Sequence, residues 1–385
     1  MPVMTQTFDV AVIGAGAFGA WSAYQLRKSG ATVTLIDAYG PGNSRSSSGG
    51  ESRIIRMGYG PDEIYTRSAL RSLKLWQELL AQHNKDLFRV TGVLWVAKGS
   101  DSYSQATLKC LEAAGVQHEK LALNDLTLRY PQLKFGPDAW GILETFSGVL
   151  LARQAVQAVV AQSREIGVSY ELKAIVPPTG SGRLTSVSSS KGDQIHADKF
   201  VFACGPWLPK LFPSLLKGLI QVTRQEVFFF GVSPGDASFD QSDMPAWIDF
   251  NDLVYSIPNI DGRGFKIAID AHGSEFDPDS GDRLATSTGG QNVRDYLTQR
   301  VPALAGAPIV ESRVCQYENT SNGDFLIDRH PNFENVWIVG GGSGHGFKHG
   351  PAVGEYVMQM LSGKSELEPR FGLSTKQKHH ERAVY

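Results

Sequence analysis

FDVAVIGAGAFGAWSAYQLRKSGATVTLID, residues 8–37, holds a strand, a glycine turn, a helix, a second strand and an acid in that order. An apolar β-type run over 8–13 enters Gly14-Ala15-Gly16-Ala17-Phe18-Gly19, and a second apolar run over 32–36 ends on Asp37. Gly14 permits the tight turn, Gly16 lets the backbone approach a pyrophosphate, and Gly19 lets helix and strand pack closely. The helix N-terminus offers free N–H groups and a positive dipole end to phosphates. Asp37 is placed to accept hydrogen bonds from a ribose. A GxGxxG alone is a weak sign. With strand, helix and distal acid around it, the reading is dinucleotide binding.

Outward from this unit, residues 40–50 are rich in Ser and Gly and run straight into Glu51-Ser52-Arg53-Ile54-Ile55-Arg56. Such a stretch suits backbone lying against a ligand. Periodicity predicts a helix over 61–83 with Leu70, Leu73, Leu75, Leu79 and Leu80 as its buried stripe. A strand is expected over 91–96, and a helix over 102–114 that ends at Gly115. Beyond residue 150 the expected order is a helix over 153–166, strands over 169–176 and 184–188, then an apolar strand over 199–203. From 221 to 315 the β signal dominates, at 222–230, 253–257 and 264–269. Lys266 and Asp270 interrupt the last, so one of its faces is not in apolar core. Residues 335–361 repeat the opening logic: a strand over 336–339, GGGSGHG over 340–346, and a helix over 351–361. Two such units at opposite ends suggest one nucleotide domain built from discontinuous pieces.

At 385 residues the chain exceeds the size at which single cores stop growing, so two lobes are expected. A net charge of −2 gives no general attraction to nucleic acid or to an anionic membrane. The basic patch at 376–380 reads as a solvated tail. Three scattered cysteines, Cys110, Cys204 and Cys315, form neither a disulfide framework nor a metal site. No signal peptide, membrane span or targeting tail is read, so the expected location is cytoplasmic.

Four segments together carry a resemblance: VIGAGAFG with Asp37, GGESRIIR, SRVCQY over 312–317, and GGGSGHGFKHGPAVGE over 340–355. In this order they resemble the D-amino-acid-oxidase-like flavoproteins, specifically the monomeric sarcosine oxidase group that includes N-methyltryptophan and pipecolate oxidases. The resemblance implies an α/β (α+β) fold. A Rossmann-type FAD-binding domain would comprise 1–85, 150–220 and 316–385, and an antiparallel-sheet substrate domain 86–149 and 221–315. FAD would be held by Gly14, Gly16, Ala17, Phe18 and Gly19, by Asp37 and Ala38, and by Ser47, Ser52 and Arg53. Val176, Gly205 and Trp207 would add to it. Gly342, Ser343, Gly344, His345, Gly346, Phe347 and Lys348 would complete the cofactor site, the Gly344-His345-Gly346 backbone facing the flavin's pyrimidine edge, where its N–H groups stabilise negative charge.

By residue type Cys315 is a buried structural thiol. The resemblance instead makes it a thioether link to the flavin 8α-methyl carbon. Spacing alone does not settle Arg53 and Arg56, which share a face on a helix but not on a strand. The resemblance gives Arg53 to the flavin and Arg56 to a substrate carboxylate, for which a guanidinium fork is suited. Lys348 is either a solvated lysine or a functional cation at the unfavourable end of a helix, and the resemblance pairs it with Arg56. Lys266 can snorkel outward, or, by resemblance, promote the reaction of the reduced flavin with O2. Tyr317 and Tyr255 are core or substrate-cavity residues. Asp270 departs from the family's histidine. His272, which alternation puts on the same face as 266 and 270, can substitute for it, or Asp270 can meet a cationic group, or it can be a rim change.

The expected activity is FAD-dependent oxidation of a secondary amine or N-methyl amino acid to an imine by a monomer, with O2 reduced to H2O2 and no metal. The alternatives are an oxidase of cyclic imino acids or of a larger or cationic amine, a dehydrogenase with another acceptor, and a flavin binder without catalysis.

Overall fold

The computed structural model describes residues 7–82 and 86–378. Two large sheets organise it. The first runs Leu326–Arg329, Val336–Gly340, Gln194–Phe202, Thr7–Ile13, Val33–Asp37, Ser169–Leu172, with Ser186–Ser188 paired to Gln194–Phe202. The four pairings from Val336–Gly340 to Ser169–Leu172 are parallel. Parallel strands buried on both faces need continuous apolar runs, and Val10, Ala11, Val12 and Ile13 are all buried. The helix Ala17–Lys28 packs against the helices Gly350–Leu361 and Ala152–Glu165. Glycine sets two of its contacts: a Cβ on Gly19 would lie 1.8 Å from the Gly14 carbonyl oxygen, and one on Gly354 would lie 2.6 Å from the Trp21 backbone.

The second sheet has eight strands, in the order Ile309–Thr320, Ile220–Phe230, Phe265–Ile269, Val254–Ile257, Ala246–Asp249, Val93–Lys98, Ala139–Glu144, His118–Leu121. All its pairings are antiparallel except that between Ala246–Asp249 and Val93–Lys98. A small third sheet joins Arg53–Ile55, Gly148–Leu150 and Phe88–Arg89. The strand Ile309–Thr320 runs unbroken across residue 315, where the sequence suggested a change of domain.

Several expectations are corrected. The helix Glu63–Leu80 buries Leu73, Leu75, Leu79 and Leu80, whereas Leu70 lies on its exposed side. A helix Ser287–Arg300 stands in the region read as β; its start STGG has weak helix propensity, and the Thr286 side chain caps it by accepting from Gly289 N–H. Lys376 is not in a solvated tail: it is buried, its Nζ donating to Arg370 O at 2.8 Å and Asn322 Oδ1 at 3.1 Å. Residues 379–380 of that patch lie outside the described residues. No described helix is long and apolar enough to cross a membrane.

Candidate active site

The glycine turn after Thr7–Ile13 opens onto a cavity of about 430 Å³, a size typical of ligand sites. Its wall includes Gly14, Gly16, Ala17 and Phe18, then Asp37, Ala38, Ser47 and Arg53. Gly205, Trp207, Gly342, Ser343, Gly344, Gly346 and Phe347, also named from the sequence, lie on the same wall. Asp37 holds the turn in shape: its carboxylate accepts from Ala15 N–H at 2.7 Å and from Tyr39 and Gly40 N–H at 2.8 Å each. Burial raises its pKa against those hydrogen bonds. Ser47 Oγ and Glu318 Oε2 are buried polar atoms with no hydrogen-bond partner, as expected of a wall shaped for a polar ligand. The residues present fit a dinucleotide.

Six expected cofactor residues are not in this wall. Gly19 serves the packing of strand against helix. Val176 is 39% exposed and lies between the wall residues Ile175 and Pro177. Ser52, Cys315, His345 and Lys348 line a second cavity instead, of about 100 Å³. The two cavities share Arg53, Tyr317, Ser343, Gly344 and Phe347, so whatever fills the first presents one end to the second. Cys315 Sγ sits at this junction, 3.6 Å from Arg53 Nη2.

The second cavity gathers Arg56, Lys348, Tyr255, Tyr317, Asp270 and His272. Arg53 lies on the short strand Arg53–Ile55, and Arg56 follows it directly. The Arg56 guanidinium donates to Gly58 O and lies over the rings of Tyr59 (4.4 Å) and Trp95 (4.7 Å). Glu144 fixes this corner by accepting from Met57 N–H, Gly58 N–H, Trp95 Nε1 and Ser147 Oγ. Lys348 belongs to the tight turn Gly346–His349, ahead of the helix rather than in it, and only 5% of it is exposed. Burial, then the Arg56 charge, pushes its ammonium pKa well down. Tyr317 donates to Asp270 Oδ1 at 2.7 Å, and burial followed by the Asp270 charge pushes the phenol well up.

The strand carrying Lys266 stops at Ile269, so the expected shared face of 266, 270 and 272 does not form. Asp270 and His272 line the second cavity. Lys266 lines a third, of about 190 Å³, with Phe229, Ile257 and Ile260. Its Nζ donates to Ser52 O at 2.7 Å, and burial, then the Arg53 charge, lowers its pKa well below the usual ammonium range. Ser52 lies in the walls of both the second and third cavities.

Sequence reasoning passed over Glu144, Tyr59, His349 and Glu318, of which only His349 sits in one of the four segments, where it was given no role. Period-two alternation over Val314, Gln316, Glu318 and Thr320, all buried, was the available signal for Glu318. Burial raises the Glu318 pKa to about 7, against backbone hydrogen bonds from Gly342 and Gly341. The folded chain therefore keeps a proton that the unfolded chain loses near 4.5, and stability from this group falls as pH rises through that window. Glu318→Gln is expected to leave the ligand-free protein unchanged in acid and to stabilise it by about 3 kcal/mol above the window. Melting temperature against pH measures this; parallel curves for the two proteins would refute it.

The family model described as FAD dependent oxidoreductase (DAO) matches residues 9–360. The monomeric sarcosine oxidase of Bacillus sp. (strain NS-129) is 32% identical, over 94% of this chain and 95% of its own length. The peroxisomal sarcosine oxidase of Mus musculus is 29% identical, over 97% and 96%. Among solved structures, L-proline dehydrogenase from P. horikoshii superposes with a TM-score of 0.82, at 22% identity over 96% of this chain and 98% of that one. The fructosyl peptide oxidase from E. terrenum gives 0.80, at 20% identity over 97% and 93%. At these identities the two structures speak to the fold. A dinucleotide cavity opening onto a cation-lined pocket, and a family match across most of its length, lead to one conclusion: the chain belongs to the FAD-dependent oxidoreductases of the DAO family.

Proposed function

We propose that this enzyme oxidises the CH–NH bond of a secondary amino acid, an N-methyl amino acid in the first instance, with O2 as acceptor. The observation that carries the reading is the convergence of Arg56 and Lys348 on a small cavity that shares five wall residues with the dinucleotide cavity. Two basic side chains on the wall of one small cavity suit a carboxylate. Bound FAD supplies the electron acceptor and passes the electrons to O2. The protein supplies position: with the carboxylate held by Arg56 and Lys348, the reacting C–H is fixed against the boundary between the cavities. Tyr255 and Tyr317 line the same cavity. The amine must be neutral to give up a hydride equivalent, so turnover rises with pH.

Lys266 stands apart from the substrate cavity, a position that suits the oxygen step. The first cavity's wall residues are assigned to FAD, and the division into an FAD domain (1–85, 150–220, 316–385) and a substrate domain (86–149, 221–315) goes with that assignment. A cytoplasmic monomer is part of the same reading. Asp270 on the cavity wall favours a second reading, a larger or cationic secondary amine. A cyclic imino acid would use the same carboxylate anchors.

Anaerobic bleaching of the flavin against sarcosine, N-methyl amino acids, L-proline, L-pipecolate and cationic secondary amines tests the proposal. Rapid bleaching by one compound names the class, and bleaching by none sinks it. Oxygen consumption with the winning compound separates an oxidase from a dehydrogenase. Cys315, at the junction of the cavities, is proposed to carry the flavin covalently. Acid-precipitated protein should then stay yellow and Cys315→Ser precipitate should be white; a white pellet from the unaltered protein would remove Cys315 from that role.

A further inference from the structure

A buried line of hydrogen bonds leads away from the substrate cavity, and neither cofactor binding nor carboxylate anchoring requires it. Lys348 Nζ donates to Tyr59 OH at 2.8 Å and to His345 O at 3.0 Å. Tyr59 OH is 2.7 Å from His349 Nε2, and His349 Nδ1 is 2.9 Å from Ser68 Oγ. Tyr59 and His349 are wholly buried, whereas Ser68, on the helix Glu63–Leu80, is half-buried. The line thus runs from the cavity wall to the edge of the molecule.

Its polarity follows from donor and acceptor chemistry. Once charged, the lysine can only donate to the Tyr59 oxygen, so in that state the phenol's own proton turns to an imidazole, and the shorter contact is with His349. His349 then carries its proton on Nδ1 and donates it to Ser68. His345 is a closed branch. Its Nε2 lies 3.0 Å from Gly323 O, which can only accept, so Nε2 keeps its proton and Nδ1, at 3.3 Å from Tyr59 OH, is an acceptor.

A secondary amino acid reaches the protein as a zwitterion, and its ammonium has no lone pair with which to expel a hydride. One proton has to leave a closed site before the reaction. Lys348 faces the substrate with two tetrahedral directions already committed to Tyr59 and His345, which leaves an uncharged Nζ one lone pair. The charged and titratable groups acting on it are Arg56, His345, His349, Tyr59, Asp270 and Glu144. Burial and the Arg56 charge favour its neutral form, while Asp270 and Glu144 oppose this. Burial, then the Lys348 charge, likewise keeps His345 and His349 neutral.

We propose that Lys348, Tyr59, His349 and Ser68 form a proton relay that carries the proton of the substrate ammonium out of the cavity. This rests on the secondary-amine reading above. The substrate N–H bond breaks as the Lys348 N–H forms, and the charged lysine then pairs with the substrate carboxylate beside Arg56. Lys348 later passes a proton to the Tyr59 oxygen while the Tyr59 proton goes to His349 Nε2. His349 Nδ1 gives its proton to Ser68 Oγ, and Ser68 releases its own to water. One proton enters, one leaves, and no electrons move. Hydroxyl rotation and an imidazole flip restore the starting order. Lys348 touches the substrate; Tyr59, His349 and Ser68 act through it.

The test is anaerobic stopped-flow of the flavin-loaded protein in weak buffer with a pH indicator, recording proton release and flavin bleaching together. The unaltered protein should release one proton per flavin no later than bleaching. Tyr59→Phe and His349→Phe should slow both signals by roughly 10²-fold near neutrality, and the deficit should shrink in alkali, where the amine arrives unprotonated. His349→Gln keeps a polar side chain in the same space and cannot titrate, so it should behave as the phenylalanine variant does, and it serves if that one misfolds. Binding of a thioether carboxylate isosteric with the substrate should be retained in all variants. A deficit that is the same at every pH, or proton release at the unaltered rate, overturns the relay. If no amine bleaches the unaltered protein, the amine reading falls and the relay with it; bleaching with variants that release protons normally sinks the relay alone.

Discussion

Replacement of Lys266 by methionine is expected to slow reoxidation of the flavin by O2 by roughly 10²–10³-fold, while anaerobic bleaching by substrate stays within about twofold of the unaltered rate. The separation follows from where the side chain lies. Lys266 is 2% exposed, held by its bond to Ser52 O, and sits in the third cavity rather than with Arg56 and Lys348. Electron uptake by O2 creates negative charge, and a buried cation stabilises it far more than water-screened charge would. Burial and the Arg53 charge disfavour the ammonium, so an arriving anion is also what would best stabilise it. Methionine keeps most of the length and volume and removes the charge. Stopped-flow measurement of the two half-reactions decides the matter: equal loss in both would mean that Lys266 supports the site as a whole and not the oxygen step.

Arg56→Ala should raise KM for carboxylate-bearing substrates by roughly 10²–10³-fold, since truncating one partner of a buried charge pair costs about 2–5 kcal/mol. Flavin content should not change. The guanidinium is pinned by Gly58 O below two aromatic faces, in a corner that Glu144 fixes through Met57 and Gly58. Such a fork is oriented before substrate arrives. Arg56→Lys should therefore recover little of the loss, because an ammonium cannot reproduce the bidentate, stacked geometry. The discriminating comparison uses an amine lacking the carboxylate. If KM for that amine rises as much as for the acid, Arg56 is shaping the cavity rather than holding an anion.

The nucleotide half of this fold was legible because its chemistry is written in backbone. Gly14, Gly16 and Gly19 announce a turn, a close approach and a tight packing contact; the structure shows the turn at Gly14 and the packing contact at Gly19, and sets Gly16 on the wall of the first cavity. Arg56 and Lys348 are far apart in sequence, and only the family resemblance paired them; the structure sets both on one cavity. The residues that escaped reading act through tertiary contacts with no local signature. Glu144 is an ordinary strand residue until four donors converge on it. Tyr59 and His349 are far apart in sequence, and nothing in either segment announces that they meet. Leu70 was misread because a wide apolar stripe does not reveal its own edge, and Lys376 because a basic run resembles a solvated tail until Asn322 and the Arg370 carbonyl claim its ammonium. Asp270 was noticed as a departure, but the hydrogen bond it accepts from Tyr317, on a distant strand, has no sign in the sequence.

Ser52 stands between the cavity of Arg56 and the cavity of Lys266. Traffic on the two sides of that partition need not alternate. If oxygen reacts from the Lys266 side, as proposed, it has no need to wait for the oxidised product to depart, since the product would hold the other cavity. In steady state this is the signature of a ternary complex: double-reciprocal plots at several oxygen concentrations converge, whereas a single shared chamber, emptied between visitors, would give parallel lines.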